Sequence, residues 1–447
     1  MSTILAQLFM NAKKRSFHGL KTPTLTIGLA VALFISLVLF RAGVHAQAPA
    51  EAAKPAETLR PAVAKELKAA QDLINAKQFK EALAKLAEAD KISAKTPYEI
   101  YILERLRGPA AAAISEHATA AKSFQIALDS GRLTPAERTQ FSEAITSAYY
   151  LLKDYKTSAV WAKRAIESGG AAPQTRMLMI QALVLGDDLP GATKEANAAI
   201  ADDEKAGKIP SQELLRLAGT IALRANDDTA YVGVLERLVM SYPTNDYWLD
   251  YISRAARNPA INDRYMTDIF RLKMTLGQPL TASQYMFVAQ SAKQAGFPIE
   301  AAKVMESGIK TGVLSTAEHK QFRDLVERDA ADDIKNMARS SVEAAKSKEG
   351  PGLFNAGLNY VYNGESDKGL VMMEQGISRT GIRRPEDARL RLGIAYAIAG
   401  ERVKAVDALA MVKSAEGGTE VARLWTAYAK QRVTNSAPAP AAAPSAK

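Results

Sequence analysis

Residues 390–409 form the stretch LRLGIAYAIAGERVKAVDAL, which decides the class of fold. Glycine at the centre of a single helix would cost about 1 kcal/mol relative to alanine. Two short helices that meet at Gly400 explain the spacing better, because glycine ends a helix in the left-handed conformation without a steric cost. Gly393 would then let the second helix approach the first closely. The stretch therefore predicts a helix–turn–helix unit.

The same order of small and aromatic residues recurs along the chain. Ala148–Tyr149 superposes on Ala395–Tyr396, and both steps precede a predicted turn. Corresponding turn positions are spaced 38, 38 and 34 residues apart, at Phe79, His117, Tyr155 and Leu189. A period of this size is typical of a helical solenoid.

This pattern resembles the tetratricopeptide repeat, in which small residues occupy the eighth and twentieth positions and an aromatic residue often the eleventh. The clearest copy has Gly393, Tyr396 and Ala405 at these positions, and the copy before it has Gly357, Tyr360 and Gly369. The resemblance covers residues 62–431, and the chain as a whole resembles exported bacterial tetratricopeptide proteins. It implies an all-α, right-handed α-solenoid of about nine helix pairs, in which Thr419–Arg432 forms a C-terminal capping helix.

The N-terminal residues have the pattern of a secretory signal peptide. A basic segment precedes the apolar run Leu25–Phe40, and small residues follow at Val44 and Ala46. We expect cleavage after Ala46, which places the mature protein in the periplasm. The alternative is a retained leader that anchors the chain in the inner membrane, although 16 apolar residues are slightly short for a spanning helix.

Composition divides the rest of the chain into segments. Alanine and proline dominate residues 47–61 and 433–447, which are predicted to be a disordered linker and a disordered tail. Residues 62–244 are predicted to form N-terminal repeats and residues 351–432 the C-terminal repeats and cap. Between them, residues 245–350 keep helical periodicity but match the repeat poorly, and we interpret them as a degenerate helical segment.

The residue content argues against several classes of function. The chain has no cysteine, and only His117 and His319 among its four histidines follow the predicted cleavage site, so no metal site is expected. No phosphate-binding loop or hydrolase motif occurs, and we therefore predict neither an enzyme nor a cofactor. Five of the 58 Lys and Arg residues and none of the 48 acidic residues precede Gln47, which leaves a net charge of +5 without a dense basic block. Nucleic-acid binding is therefore not expected.

One aromatic cluster, at Tyr247, Trp248 and Tyr251, allows two interpretations. It is either a binding patch or a helix that packs its aromatic side into the core. Helical spacing favours the core.

The tetratricopeptide resemblance implies that the first helices of the pairs line a concave surface to which a protein or peptide binds. Transfer of the register gives the candidate residues Leu67, Gln71, Asn75, Glu143, Tyr150, Gln181, Arg216, Thr220, Arg224, Gln290, Lys293 and Tyr362. Arg216 and Arg224 form the cationic centre of this concave surface, and Lys293 would extend that centre. Because arginine binds carboxylates in a bidentate way, the expected partner carries acidic groups.

Two functions from different classes remain open at this point. The first is a periplasmic scaffold that mediates protein–protein interaction during envelope assembly, secretion or polysaccharide export. The second is a carbohydrate-binding or enzymatic envelope protein with its site in residues 245–350. Membrane contact is expected only if the leader is retained, as in an anchored adaptor.

Overall fold

The computed structural model of the protein describes residues 57–169 and 172–431. This part of the chain forms twenty α-helices and one short 3-10 helix, without a β-strand, and it confirms the all-α prediction. None of these helices is long and apolar enough to cross a membrane. The predicted signal peptide, most of the linker and the predicted tail lie outside the described residues. The chain divides after Asp227 into two compact units, which we call the first and the second unit.

The first unit consists of nine helices, in which each helix contacts the next. They are α1 (Pro61–Asn75), α2 (Phe79–Asp90), α3 (Pro97–Ala113), α4 (His117–Asp129), α5 (Pro135–Leu151), α6 (Tyr155–Glu167), α7 (Pro173–Leu185), α8 (Leu189–Lys205) and α9 (Gln212–Arg224). The odd-numbered helices are the first helices of the pairs. The even-numbered helices α2, α4, α6 and α8 are the second helices.

Proline and threonine determine where the first helices begin. Proline occupies the first position of α1, α3, α5 and α7, where its missing N–H would have no partner inside the helix. Thr96 and Thr134 precede α3 and α5, and each forms a capping box with the glutamate three residues later. One of these glutamates, Glu99, also binds Arg60 at 2.9 Å and so links the first two pairs. The hydrogen bond from Arg60 lowers the pKa of Glu99 to about 2.

One backbone turn recurs inside the four helix pairs of the first unit. In each pair, a residue with φ between 59° and 65° lies two positions before the first residue of the second helix. These residues are Lys77, Ser115, Lys153 and Asp187. The next backbone N–H donates to the carbonyl five residues earlier; for example, the Gln78 N–H lies 2.8 Å from the Leu73 oxygen. This is the bond that closes a helix end around a left-handed residue. The four predicted turn positions are the first residues of α2, α4, α6 and α8, so the predicted period is confirmed.

The second unit contains the remaining helices. They are α10 (Asp228–Ser241), α11 (Asn245–Ala256), the 3-10 helix (Asp263–Tyr265), α12 (Met266–Thr275), α13 (Ala282–Gln294), α14 (Pro298–Lys310), α15 (Lys320–Lys346), α16 (Gly350–Asn363), α17 (Ser366–Ile377), α18 (Pro385–Ala399), α19 (Arg402–Ala410) and α20 (Gly418–Lys430). Gly296, Gly364 and Gly400 have φ between 84° and 97° and occupy the same turn as in the first unit. The prediction that Gly400 ends a first helix is confirmed, and Gly296 and Gly364 follow the same pattern.

The segment predicted to be degenerate contains one unusually long helix. α15 has 27 residues, whereas the next longest helices of the described chain have 17. Between Gly312 and Gly364 no residue has a positive φ, so the break between α15 and α16 lacks the left-handed turn that occurs inside the helix pairs.

The C-terminal helix closes the second unit instead of covering the last pair alone. α20 contacts α18 and α19, as predicted, and it also contacts α10, α11 and α12 at the start of the unit. Trp425 is fully buried, and its indole Nε1 donates to the carbonyl of Asp268 at 3.1 Å. The backbone N–H of Asn262 donates to the Glu416 carbonyl at 2.9 Å. The helices of this unit therefore form a closed ring.

Candidate partner-binding surface

The first helices of the first unit form its inner side. α1 contacts α3, α5 contacts α7, and α7 contacts α9, whereas no two second helices of the described unit approach each other to the same extent. In an array of helix pairs, the side on which alternate helices lie closest is the inner side of the curve. We call the exposed part of α1, α3, α5, α7 and α9 the first-helix surface.

Three of the predicted residues lie on helices α1 and α7 of this surface. Gln71 and Asn75 lie one turn apart on α1, and the Gln71 Nε2 donates to the Asn75 Oδ1 at 3.0 Å. Gln181 is half-buried on α7. These amides can both donate and accept hydrogen bonds, so they suit a polypeptide backbone.

Three other predicted residues serve the fold. Leu67 and Tyr150 are only 3% and 6% exposed, and the Tyr150 ring packs edge-on against Tyr155. These two side chains are therefore not available to a partner, which corrects the prediction that they face the groove. Glu143 accepts hydrogen bonds from the Ala172 N–H at 2.7 Å and the Thr175 hydroxyl at 2.6 Å, and so it caps the start of α7.

The two arginines of the predicted cationic centre lie on α9 but differ in their contacts. Arg224 donates to the Val184 carbonyl at 2.9 Å and pairs with Asp187 at 3.1 Å, so it stabilises the end of α7. The guanidinium of Arg216, half-buried, has no hydrogen-bond or ion-pair partner within the described ranges. The Thr220 hydroxyl donates to the Arg216 carbonyl at 3.0 Å, inside the helix. Of these two arginines, Arg216 is therefore the one whose side chain has no partner among the described residues.

The last three predicted residues belong to the second unit. Gln290 is exposed on α13, and Lys293 pairs with Asp329 on α15 at 2.9 Å. Tyr362 lies on α16, where its ring packs edge-on against Phe297. Lys293 and Tyr362 thus have partners within their own unit.

The second unit contains a buried group of charges that the sequence did not indicate. We call Asp268, Arg271, Glu300 and Tyr362 the polar centre. Arg271 binds Glu300 in a bidentate way, at 2.5 Å and 2.8 Å, and also bonds to Asp268. The guanidinium carbon lies 5.7 Å from the centre of the Tyr362 ring. Asp268 and Glu300 are only 4% and 6% exposed. The spacing of Asp268 and Arg271, three residues apart on a helix, was the only available signal.

The electrostatics of the polar centre favour a structural role. Burial opposes the charge of Arg271, but the nearby Glu300, Tyr362 and Asp268 outweigh it and raise the pKa of the guanidinium. Burial likewise raises the pKa of the Tyr362 hydroxyl far above its ordinary value. Both groups keep one protonation state near neutral pH, and neither is matched to proton transfer there. The ion pairs join α12 to α14. Loss of one partner would destabilise the ring, because it would leave a buried charge uncompensated.

The aromatic cluster and the possible metal ligands are the remaining features that could form a site. Trp248 and Tyr251 are each 2% exposed and stack at 6.1 Å, so the core interpretation of this cluster is confirmed for both residues. Across the described ranges, no group of three or more His, Asp or Glu residues could hold a metal ion.

Comparisons with known proteins find only weak similarity. No protein-family model and no curated protein sequence matches the chain. Among solved structures, the complex of Naa15 and Naa10 bound to HypK-THB matches with 14% identity and a TM-score of 0.25, over 79% of this chain and 58% of that chain. The apo form of RapI matches with 12% identity and a TM-score of 0.24, over 82% and 97%. The TPR domain of P58(IPK) matches with 13% identity and a TM-score of 0.20, over 81% and 98%. The fold assignment therefore rests on the helix pairs and turns described above.

Proposed function

We propose that this protein is an interaction scaffold whose first-helix surface binds an extended polypeptide segment bearing acidic groups. Gln71, Gln181 and Thr220 stand at the same place in their helices, six residues before the left-handed residues Lys77, Asp187 and Asn226. The same position is Ser147 in α5 and Pro109 in α3, so four of the five first helices carry a hydrogen-bonding side chain at this place. An extended segment has backbone donors and acceptors at regular intervals and suits such a row.

The unpaired charge of Arg216 is the observation that carries the proposal. A half-buried guanidinium has lost part of its hydration, and a carboxylate restores that loss through two parallel hydrogen bonds. Arg224 lies just over two turns further along α9, roughly 80° around the helix from Arg216. Its ion pair with Asp187 joins side chains that are 42% and 85% exposed, and such exposed pairs contribute little to the stability of the fold. A carboxylate of the partner can therefore replace Asp187.

We further propose that the scaffold works in the periplasm, during envelope assembly, secretion or polysaccharide export. The basic, apolar and small-residue segments that precede Gln47 support export. If the leader is retained, the same surface belongs to an adaptor anchored in the inner membrane.

A carbohydrate-binding or enzymatic role for residues 245–350 is the second candidate. Asp268, Arg271 and Glu300 lie in this segment and form a buried charged cluster. Arg271 pairs with both carboxylates, however, and Asp268 and Glu300 are buried. A site for catalysis needs groups that remain free to contact a substrate. The scaffold is therefore the better-supported function.

Replacing Arg216 and Arg224 with alanine tests the proposed surface. We expect affinity for the partner recovered by pull-down to fall by roughly 1.5–3 kcal/mol for each lost charged hydrogen bond. Arg216→Ala alone should account for most of the loss, because Arg224 also bonds within the protein. Calorimetry measures the affinity, and circular dichroism verifies that helix content is unchanged.

The matched control replaces Lys163 and Lys194, two exposed cations on the second helices α6 and α8. It removes the same net charge from the opposite set of helices, and we expect unchanged affinity. An equal loss in both double variants would show that only net charge matters. Unchanged affinity in the arginine variant would exclude the first-helix surface as the binding site.

A further inference from the structure

The long helix α15 exposes apolar side chains to solvent. Only Val326, Ala330 and Ser341 of its residues are buried. Ile334 and Val342 are 47% and 56% exposed, which is unusual for large apolar side chains in a closed unit. The described part of the chain leaves this side of α15 without a covering helix.

The exposed apolar residues form one continuous stripe. We define the α15 stripe as Ala331, Ile334, Ala338, Val342 and Ala345, all of them exposed. Their spacings of three, four, four and three residues keep them on one side of a helix with 3.6 residues per turn. This is the heptad-like pattern along which two helices pack against each other.

Cations line one edge of this stripe. We define the α15 basic edge as Arg328, Lys335, Arg339 and Lys346, which are also exposed. Their spacings of seven, four and seven residues place them along one line beside the stripe. Lys346 pairs with Glu343 at 2.9 Å, and Arg328 approaches Asp329 at 3.8 Å. Exposed ion pairs within one helix contribute little to stability, so a partner can replace them. The edge therefore remains cationic.

We propose that the α15 stripe and the α15 basic edge together bind an amphipathic partner helix with an acidic flank. Three of the five stripe residues are alanines, which allow a second helix to approach to about 8–10 Å. Acidic residues on the flank of that helix would lie opposite the basic edge, as charged flanking positions do in paired helices. This site lies on the second unit and is independent of the first-helix surface.

Two other occupants fit the same features less well. In an antiparallel pair with a second copy of this chain, each edge meets the same edge of the other copy, so cations would face cations. A membrane surface requires bulky residues such as Trp, Phe or Leu on the apolar side. The α15 stripe has none of these residues, and its alanines bury little area. Of the three occupants, a partner helix with an acidic flank fits both the small side chains of the α15 stripe and the positive charge of the α15 basic edge.

The probe is a synthetic amphipathic peptide about three heptads long, with leucine on its apolar side and glutamate on both flanks. The comparison peptide has lysine in place of glutamate. Fluorescence anisotropy with the full chain should show that the acidic peptide binds at least about tenfold more tightly than the basic one. A double variant with Ile334→Glu and Val342→Glu should lose at least about tenfold in affinity for the acidic peptide. Because both side chains are exposed, the variant should keep its fold, which circular dichroism verifies.

Charge reversal gives the sharper test. Lys335→Glu with Arg339→Glu should invert the preference, so that the basic peptide binds more tightly. Lys310→Glu with Lys413→Glu makes the same change of charge at exposed positions outside α15, and it should leave the preference for the acidic peptide intact.

Equal binding of the two peptides, or binding of neither, would overturn the proposal. Binding to phosphatidylglycerol vesicles that is lost in the Ile334→Glu and Val342→Glu variant, without peptide binding, would assign the stripe to a membrane surface. Concentration-dependent dimerisation that the same variant abolishes, again without peptide binding, would assign it to a second copy.

Discussion

Replacing Trp425 with alanine is expected to lower the free energy of unfolding of the second unit by about 3–5 kcal/mol. The side chain is fully buried between the two ends of the ring, and its Nε1 bonds to the Asp268 carbonyl at 3.1 Å. Alanine leaves a cavity and removes this hydrogen bond. Urea unfolding of the variant measures the loss.

Hydrogen exchange distinguishes a closed ring from an open array. In an open array the damage would remain near α18, α19 and α20, because each pair depends mainly on its neighbours. Closure predicts that α10, α11 and α12 lose protection as well. Protection lost only at the C-terminal end would contradict closure. Val403→Ala is the control, because Val403 is 76% exposed and its loss should change stability by less than about 0.5 kcal/mol.

Replacing Gly357 with alanine is expected to destabilise the same unit by about 3 kcal/mol, at the upper end of typical overpacking costs. A Cβ at this position would lie 2.5 Å from the Gly369 carbonyl oxygen and 2.8 Å from the Met373 nitrogen. Both are backbone atoms, so α17 would have to move away from α16. Thermal unfolding of the purified protein measures this effect.

The same helix offers a matched control at Gly352. A Cβ there would have the Ala344 Cβ as its nearest neighbour, at 3.8 Å, which is an ordinary contact. Gly352→Ala should therefore stabilise the protein by about 0.5–1 kcal/mol through helix propensity. If both variants had the same stability, the close approach of α16 and α17 would not be a packing requirement.

The structure separates two glycines that the repeat pattern treats alike. A Cβ at Gly393 would lie 2.6 Å from the Leu409 side chain, whereas at Gly357 it would meet backbone. A leucine side chain can change its rotamer, and an alanine at Gly393 should therefore cost less than one at Gly357. The repeat register predicts that both glycines lie where the two helices of a pair are close. Only the structure shows whether a backbone or a side-chain atom faces each glycine.

Local features of the chain were predictable from the sequence, and long-range contacts were not. The turns at Gly296, Gly364 and Gly400 carry glycine, the residue that left-handed geometry favours. Lys77 and Lys153 adopt the same turn without that signal, and only the period of the repeat indicated them. Closure of the ring joins residues far apart in sequence, such as Trp425 and Asp268, and no periodicity contains that information.

The candidate surface shows the same division. The transferred register placed Gln71, Gln181 and Arg216 on first helices with part of each side chain accessible. It could not show that Tyr155 would cover Tyr150, or that the end of α7 would bind Arg224. Those outcomes depend on how neighbouring pairs pack, which a single repeat does not specify.

Site-specific photo-crosslinking in the living cell tests the central claim most directly. A photoreactive phenylalanine replaces Gln181 on the first-helix surface or, in the control, Lys163 on the second helix α6. If the first helices bind a polypeptide, position 181 should give a covalent adduct that Arg216→Ala weakens, and position 163 should give none. Adducts of equal yield from both positions, or an adduct from position 163 alone, would contradict the account.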